Sequence, residues 1–425
     1  MEQKPAGIKL IAIALLPIFL HLTLFSIDIL KNSPVLIGRL DLAVFVLFIV
    51  YLCGLILTLQ YKKYFMHLVL IMYSLFCAII VIDLFFKFSL NLPYAPVHWI
   101  ADAGEGLMPG ITGRIEFSIN KYGLRGPQTG FREAEIKILT VGGSAVECYT
   151  VTDKLTWPWL LQYKLALRLG KRVYVGNAGK SSSFTLNHIY LLENYQLAPK
   201  FDWVILLAGV NDMGRLVQGD YASRKPFIPQ ETFEYRWKNS PYYRNLAFFQ
   251  RIGRKYRAIS NGQVLQDPAG GCYIAMRIKR RIFLANNPIT SIPSSRIEQG
   301  LLTYKENLRK IIALCRKRNQ NLVMVTQPAL WQKNLPENLQ NLLWEQTTDG
   351  AATAELLETL LKAYNQAMLE VCSQENIPCI DLASMLENDQ SLFYDDCHFN
   401  IHGCEVASEI IAREMLRLLA RQKGA

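Results

Sequence analysis

No two cysteines in this 425-residue sequence stand three apart as a CxxC pair, although there are nine of them. That absence excludes a thiolate zinc site of the usual spacing, and no metal is expected. The glycine-bearing stretch VGGSAVE lacks the GxGxxG and GxxxxGK[ST] spacings that cradle phosphates, which argues against a nucleotide-binding domain. No internal repeat or low-complexity tract is present. Acidic residues are few: 35 against 46 Lys and Arg, a formal net charge of +11. The imbalance has a location, since thirteen basic and only four acidic residues lie strictly between Arg215 and Arg296.

What is plentiful is apolar sequence, 51% of the chain, and its excess sits at the front. Residues 8–30, 42–59 and 65–86 are apolar runs near the roughly 18–20 residues that cross a bilayer as a helix. Their repetition argues for a permanent anchor of three transmembrane helices over residues 1–90, not a cleaved leader. Lys4, Lys9, Lys31, Arg39, Lys62 and Lys63 lean towards a cytoplasmic N-terminus, which puts everything after about residue 90 outside the cytoplasm, in a periplasm-like compartment. His21, Asp28, His67 and Asp83 fall within or at the ends of these runs and read as interface markers or packing groups. In such a protein the basic segment is expected to face anionic headgroups or an acidic polymer in place of nucleic acid, or to be a solvated surface. The seven cysteines after the anchor read as buried free thiols or as one bridge, such as Cys372 with Cys379.

Residues 91–135 read as a juxtamembrane linker followed by an edge strand or hairpin, GITGRIEFSINKYGLRGP. From 136 to 425 short apolar runs alternate with helical spacing. Strands are expected at 136–141, 172–175 and 203–208, then at NLVMVTQP and IPCIDL; helices at 157–169, 186–195, 298–317, 352–372 and 402–419. The alternation predicts an α/β fold with a parallel sheet covered on both faces and ligands at the carboxyl ends of the strands. It breaks at about 214–297, where the basic segment forms an insertion in the position of a lid.

Polar candidates gather at those strand ends. The first strand gives Gly142, Gly143 and Ser144; the second gives NAGKSS with Asn177 and Gly179; the third gives AGVNDM with Gly209, Asn211 and Asp212; FYDDCHFNIHG follows near the C-terminus with Asp395 three residues before His398. A serine hydroxyl needs a base, which His398 can be, and a carboxylate three residues earlier can hold the other ring nitrogen. Asp212 and Asn177 read as structural residues that cap turns. Cys148 and Cys397 lie near Ser144 and His398 in sequence, but Ser144 already occupies the strand-to-helix corner.

In this order the four blocks resemble the SGNH hydrolases, the GDSL-type esterases and acyltransferases, from about residue 123 to the final helix. The resemblance implies a flavodoxin-like three-layer α/β/α sandwich. It implies Ser144 as nucleophile, His398 and Asp395 as base and partner, and the Ser144 and Gly179 N–H groups with the Asn211 amide as the oxyanion hole. Gly143 stands where the family's name-giving aspartate would be and Ala145 where leucine often follows, which blurs the subgroup. The activity so implied is that of a membrane-anchored serine esterase or O-acyltransferase acting without a cofactor on acyl groups of a carbohydrate or lipid. A transferase with only three spans would need a separate membrane-bound acyl-donor partner protein. The reading from another class is a catalytically silent SGNH-fold glycan-binding or scaffold protein, which an incomplete triad would favour; here all three residues are present.

Overall fold

Short runs rich in Ile, Val and Leu, charged only at Lys137 near the start of the first, form strands buried on both faces, as a parallel sheet between helices requires. In the computed structural model these are β3 (Ile136–Gly142), β4 (Val173–Asn177), β5 (Trp203–Leu207), β7 (Asn321–Val325) and β9 (Cys379–Ile380), side by side in the order β4-β3-β5-β7-β9 and all parallel. The register sets Ile138 beside Val175 and Trp203, so that the ends of β3, β4 and β5 lie level. This is the doubly wound order 2-1-3-4-5, whose crevice opens where the chain reverses direction across the sheet, beside β3. Ahead of the sheet, β1 (Val97–Asp102) and β2 (Arg114–Ile119) form an antiparallel hairpin, and a parallel two-strand ladder of β6 (Pro288–Ile289) and β8 (Ala351–Ala352) lies apart.

Among the described residues the helices are α1 (Ser144–Glu147), α2 (Trp157–Leu169), α3 (Thr185–Asn194), α4 (Val210–Gln218), α5 (Gly271–Asn286), α6 (Ser294–Lys317), α7 (Ala354–Gln374) and α8 (Ile401–Lys423), with two further single turns at Glu337–Gln340 and Leu382–Met385. They pack in two groups, α2 with α8 and α6 with α3, α4 and α7, as the outer layers of a sandwich do. Local chemistry sets their ends: Gly170 closes α2 in the left-handed region at φ 62°, and the Thr353 hydroxyl caps α7 by accepting the Leu356 N–H at 3.3 Å. Leu161 and Leu165 of α2, Leu308, Ile311 and Ile312 of α6, and Leu357, Leu360 and Met368 of α7 are buried in the core.

The structure describes residues 97–103, 106–127, 130–221, 271–386 and 389–423. The three expected membrane spans, their ionisable residues and most of the basic insertion lie outside these residues. Among the described residues no helix is long and apolar enough to cross a membrane. Two local expectations differ from the structure. The stretch read as linker is already strand from Val97, paired with Ile119 of β2. The helix after Ser144 is one turn only, closed by Cys148 at φ 51°, so individual N–H groups act there and not a long helix dipole. Cys372 and Cys379 are free thiols, as are Cys148, Cys315, Cys397 and Cys404.

Candidate active site

Ser144 stands at the carboxyl end of β3 because two glycines let the chain turn where no side chain fits. A Cβ on Gly142 would lie 2.3 Å from Val146 Cγ2 and 2.4 Å from the Leu207 carbonyl, and one on Gly143 would lie 2.2 Å from Asn211 Nδ2. A side chain in place of Gly143, such as the family's aspartate, would therefore meet the Asn211 amide where it stands here. Gly209 also needs its freedom, with φ +146° at the turn into α4 that presents Asn211.

Two buried charges brace this corner. Arg125, from the YGLRGP segment, donates to the carbonyls of Glu147 (3.1 Å), Cys148 (3.1 Å) and Val151 (2.6 Å), pairs with Asp153 and lies over the Phe117 ring. Burial brings its guanidinium down to about 10, partly offset by nearby anionic groups. Glu147, one turn after Ser144, accepts from the Ser181 N–H at 2.7 Å and the Ser181 hydroxyl, and faces Lys180, so it holds the loop after β4.

The loop before α8 brings the other partners. His398 Nε2 is 2.6 Å from Ser144 Oγ, and its Nδ1 faces Asp395 Oδ2 at 2.8 Å and Oδ1 at 2.9 Å. The same carboxylate accepts the backbone N–H groups of Cys397 and His398, so the DxxH turn is closed by its own aspartate. Burial alone would lower the imidazole and raise the carboxyl. The charge and hydrogen bonds each supplies to the other outweigh this, leaving His398 above its ordinary value of 6.5 and Asp395 below 3.8. An imidazolium at 398 is thus stabilised, which a base taking the serine proton needs.

Trp344 has no sequence signal, being distant in the chain and in no motif. Its Nε1–H donates to Asp395 Oδ2 at 2.8 Å and its ring lies within 4° of parallel to the His398 ring. Asp396, the neglected second aspartate of FYDDCH, accepts from the Trp344 N–H at 2.6 Å and from Trp331 Nε1 at 2.7 Å, and so fixes the segment that carries Trp344.

One residue expected to supply an oxyanion donor, Gly179, has its N–H already bonded. Gly179 donates its N–H to Asn177 Oδ1 at 2.9 Å and lies tight beneath Val146 and Glu147, so it is spent on holding the turn. Along this loop the N–H groups of Lys180, Ser181 and Ser183 are bonded to the Gly142 carbonyl, the Glu147 carboxylate and the Lys180 carbonyl. The N–H of Ser182 has no partner among the described residues, and Ser182 is a non-glycine residue at φ +63°. The adjacent Ser183 carbonyl accepts from Asn211 Nδ2 at 2.7 Å and passes beside Gly143, so loop, asparagine and nucleophile corner meet. A run of serines gives no sequence signal for a left-handed residue. Asn177 Nδ2 donates to the Val146 carbonyl at 2.7 Å, and Asp212 accepts from the Thr185 N–H and hydroxyl. Burial pushes the Asp212 carboxyl up to about 7, against those hydrogen bonds.

Cys148 faces elsewhere, its Sγ 3.4 Å from the Ala145 carbonyl and 4.0 Å from Cys404 Sγ, whereas the Cys397 thiol stays beside Asp395 and His398 and is pushed well up by burial. Asp395, Cys397 and His398 offer atoms within 4.8 Å of one another, but the imidazole Nδ1 and the carboxylate are engaged with each other. Part of the basic insertion also turns inward. Arg277 and Arg280 are buried and donate to main-chain carbonyls, and Arg215 lies over the Phe184 ring and pairs with Asp220, so these three do not face lipid or polymer.

A family model for GDSL-like lipases and acylhydrolases matches residues 140–406. Among solved structures the chain is similar to an acetylxylan esterase from Geobacillus stearothermophilus, 13% identical over 67% of this chain and 94% of that one with a TM-score of 0.36. It is also similar to a lipase/acylhydrolase from Enterococcus faecalis, 16% identical over 66% and 95%, with a TM-score of 0.35. No curated protein matches the sequence.

Proposed function

The chain belongs to the GDSL-like lipase/acylhydrolase family and is an enzyme of that class, and on this premise we propose that Ser144, His398 and Asp395 form the triad of a membrane-anchored serine esterase or O-acyltransferase. The observation that carries the reading is the 2.6 Å contact of Ser144 Oγ with His398 Nε2, continued to Asp395. Ser144 Oγ attacks the ester carbonyl while its proton passes to Nε2, and Asp395 keeps the Nδ1–H in place and steadies the imidazolium. The developing oxyanion takes hydrogen bonds from the Ser144 and Ser182 N–H groups and the Asn211 amide, each worth about 3 kcal/mol in comparable sites. His398 then returns the proton to the leaving alcohol. Water, or an acceptor hydroxyl of a sugar, releases the acyl group from Ser144 by the same steps in reverse order.

The apolar runs 8–30, 42–59 and 65–86 support an anchor that holds the domain at the outer face of a membrane, where the ester is carried by an envelope carbohydrate or a lipid. A transferase would draw its acyl group from a membrane-bound donor protein.

The test is active-site labelling of the full chain in detergent with a fluorophosphonate, together with turnover of p-nitrophenyl acetate. Ser144→Ala is expected to abolish both with the protein still folded, and His398→Asn to slow turnover as much, the double variant costing little more because the residues act as a unit. Labelling that persists in Ser144→Ala removes Ser144 from the role. A panel of acetylated sugars and phospholipids then separates the substrate classes.

A further inference from the structure

Helix α5 (Gly271–Asn286) lies on the domain the wrong way round for a soluble protein. Two of its four charged side chains are inside: Arg277 donates to the carbonyls of Leu342 (3.1 Å), Leu107 (2.8 Å) and Tyr394 (3.4 Å), and Arg280 to those of Ala352 (2.8 Å) and Glu345. Its apolar face is outside. Ile274, Ile278 and Ile282 are 44%, 44% and 53% exposed, and at four-residue spacing they fall within an arc of roughly 80°. Ala275 and Ala285 share the exposed side, and exposed Arg281 and Lys279 border it. The buried arginines fix the helix about its axis, because a half-turn would strand five carbonyls and bring two desolvated charges out of their partners. The isoleucine stripe is therefore held outward by bonds made on the opposite side.

We propose that this stripe is a membrane-docking face: α5 lies in the interface of a bilayer with its isoleucines among the acyl chains and Lys279 and Arg281 at anionic headgroups. An apolar arc edged by basic residues is the pattern of helices that lie in that interface. Two features select lipid over another protein segment. The last apolar run ends at Phe86 and strand β1 starts at Val97, a connection that spans at most roughly 35 Å, so the domain cannot leave the neighbourhood of the membrane it is anchored to. The alternative covers are the preceding part of the insertion and a second copy of the chain. Residues 222–270 carry nine Lys and Arg against three acidic residues, the same sign as Lys279 and Arg281, and another copy brings the same basic edges. Because Arg277 also holds the Tyr394 carbonyl, one residue before Asp395, docking of α5 would leave the loop of Asp395 and His398 behind the helix, within about its width of the bilayer surface. The inference rests on reading residues 8–86 as membrane spans.

The experiment uses the full chain reconstituted into vesicles of phosphatidylcholine with phosphatidylglycerol, with Ile278 replaced by the photo-crosslinking residue p-benzoylphenylalanine. Illumination is expected to give phospholipid adducts, in a yield that falls several-fold in vesicles of phosphatidylcholine alone. The same replacement at Leu302, 61% exposed on α6, is expected to give none. A crosslink from 278 into residues 222–270, a crosslinked pair of chains, no adduct at all, or an equal lipid yield from 302 would each overturn the docking face. Carbonate extraction of the same vesicles tests the anchor separately: a chain that washes off, yet gives lipid adducts before extraction, defeats the spans and leaves the docking face standing.

Discussion

Gly143 and Trp344 show how single residues set this site. Restoring the family's aspartate by Gly143→Asp looks like a repair on sequence grounds, but its Cβ would enter the position of Asn211 Nδ2, 2.2 Å away. The amide must then move, and turnover of p-nitrophenyl acetate is expected to fall about 100-fold, the scale of losing one oxyanion donor. Activity equal to or above the parent would show that Asn211 does not depend on a glycine there. Trp344→Phe keeps an aromatic ring beside His398 and deletes only the N–H that reaches Asp395. The carboxylate, short of a donor, holds the imidazole less firmly in line and pulls harder on its proton. Steady-state kinetics are expected to show kcat reduced about tenfold with KM unchanged, the loss of a hydrogen bond to a charged group, and an acid limb moved to higher pH. A KM effect alone would make Trp344 a substrate contact instead.

Among elements, the one-turn helix α1 depends most on its surroundings. Four residues cannot hold a helix by propensity, and α1 is closed by a left-handed cysteine. Its geometry comes from Arg125 on the carbonyls after it and from Glu147 reaching the next loop. Arg125→Met leaves three carbonyls and Asp153 buried without their cation, and urea unfolding is expected to report a loss of about 3–5 kcal/mol. A change below about 1 kcal/mol would mean that the β2 hairpin and not the arginine carries the corner. Helices such as α2 and α7 behave differently. Apolar spacing over thirteen or more residues, a glycine stop and a threonine cap make them legible without any tertiary partner.

Over the whole molecule, pH separates stability from activity. Asp212 and Glu345 are both raised to about 7 by burial, and His398 lies above its ordinary value through Asp395 in spite of burial. A group whose pKa is higher in the folded state than in the unfolded chain stabilises at low pH and withdraws that contribution as pH rises through the folded value. Asp212 and Glu345 therefore weaken the fold as pH rises from about 4 to about 7, and His398 does so as pH rises above its ordinary 6.5. The proposed catalytic step needs His398 without its proton and is expected to be lost as pH falls through that titration. Thermal unfolding is expected at a lower temperature at pH 8 than at pH 6, with ester turnover higher at pH 8; parallel rise of both would refute the linkage. By itself the sequence determined the alternation of strands and helices, and with it the rim on which Ser144, Asn211, Asp395 and His398 meet, because strand ends follow from hydrophobic period and turn residues and ligands gather at the carboxyl ends of a parallel sheet. The tertiary structure alone decided which N–H groups are left unbonded among the described residues, with Gly179 bonded to Asn177 and Ser182 without a partner, and it alone brought Trp344 to Asp395 and turned Arg277 and Arg280 inward. Hydrogen-bond satisfaction is a property of the assembled neighbourhood: a residue's type states what it can donate, and only its packed neighbours fix what it has left to give.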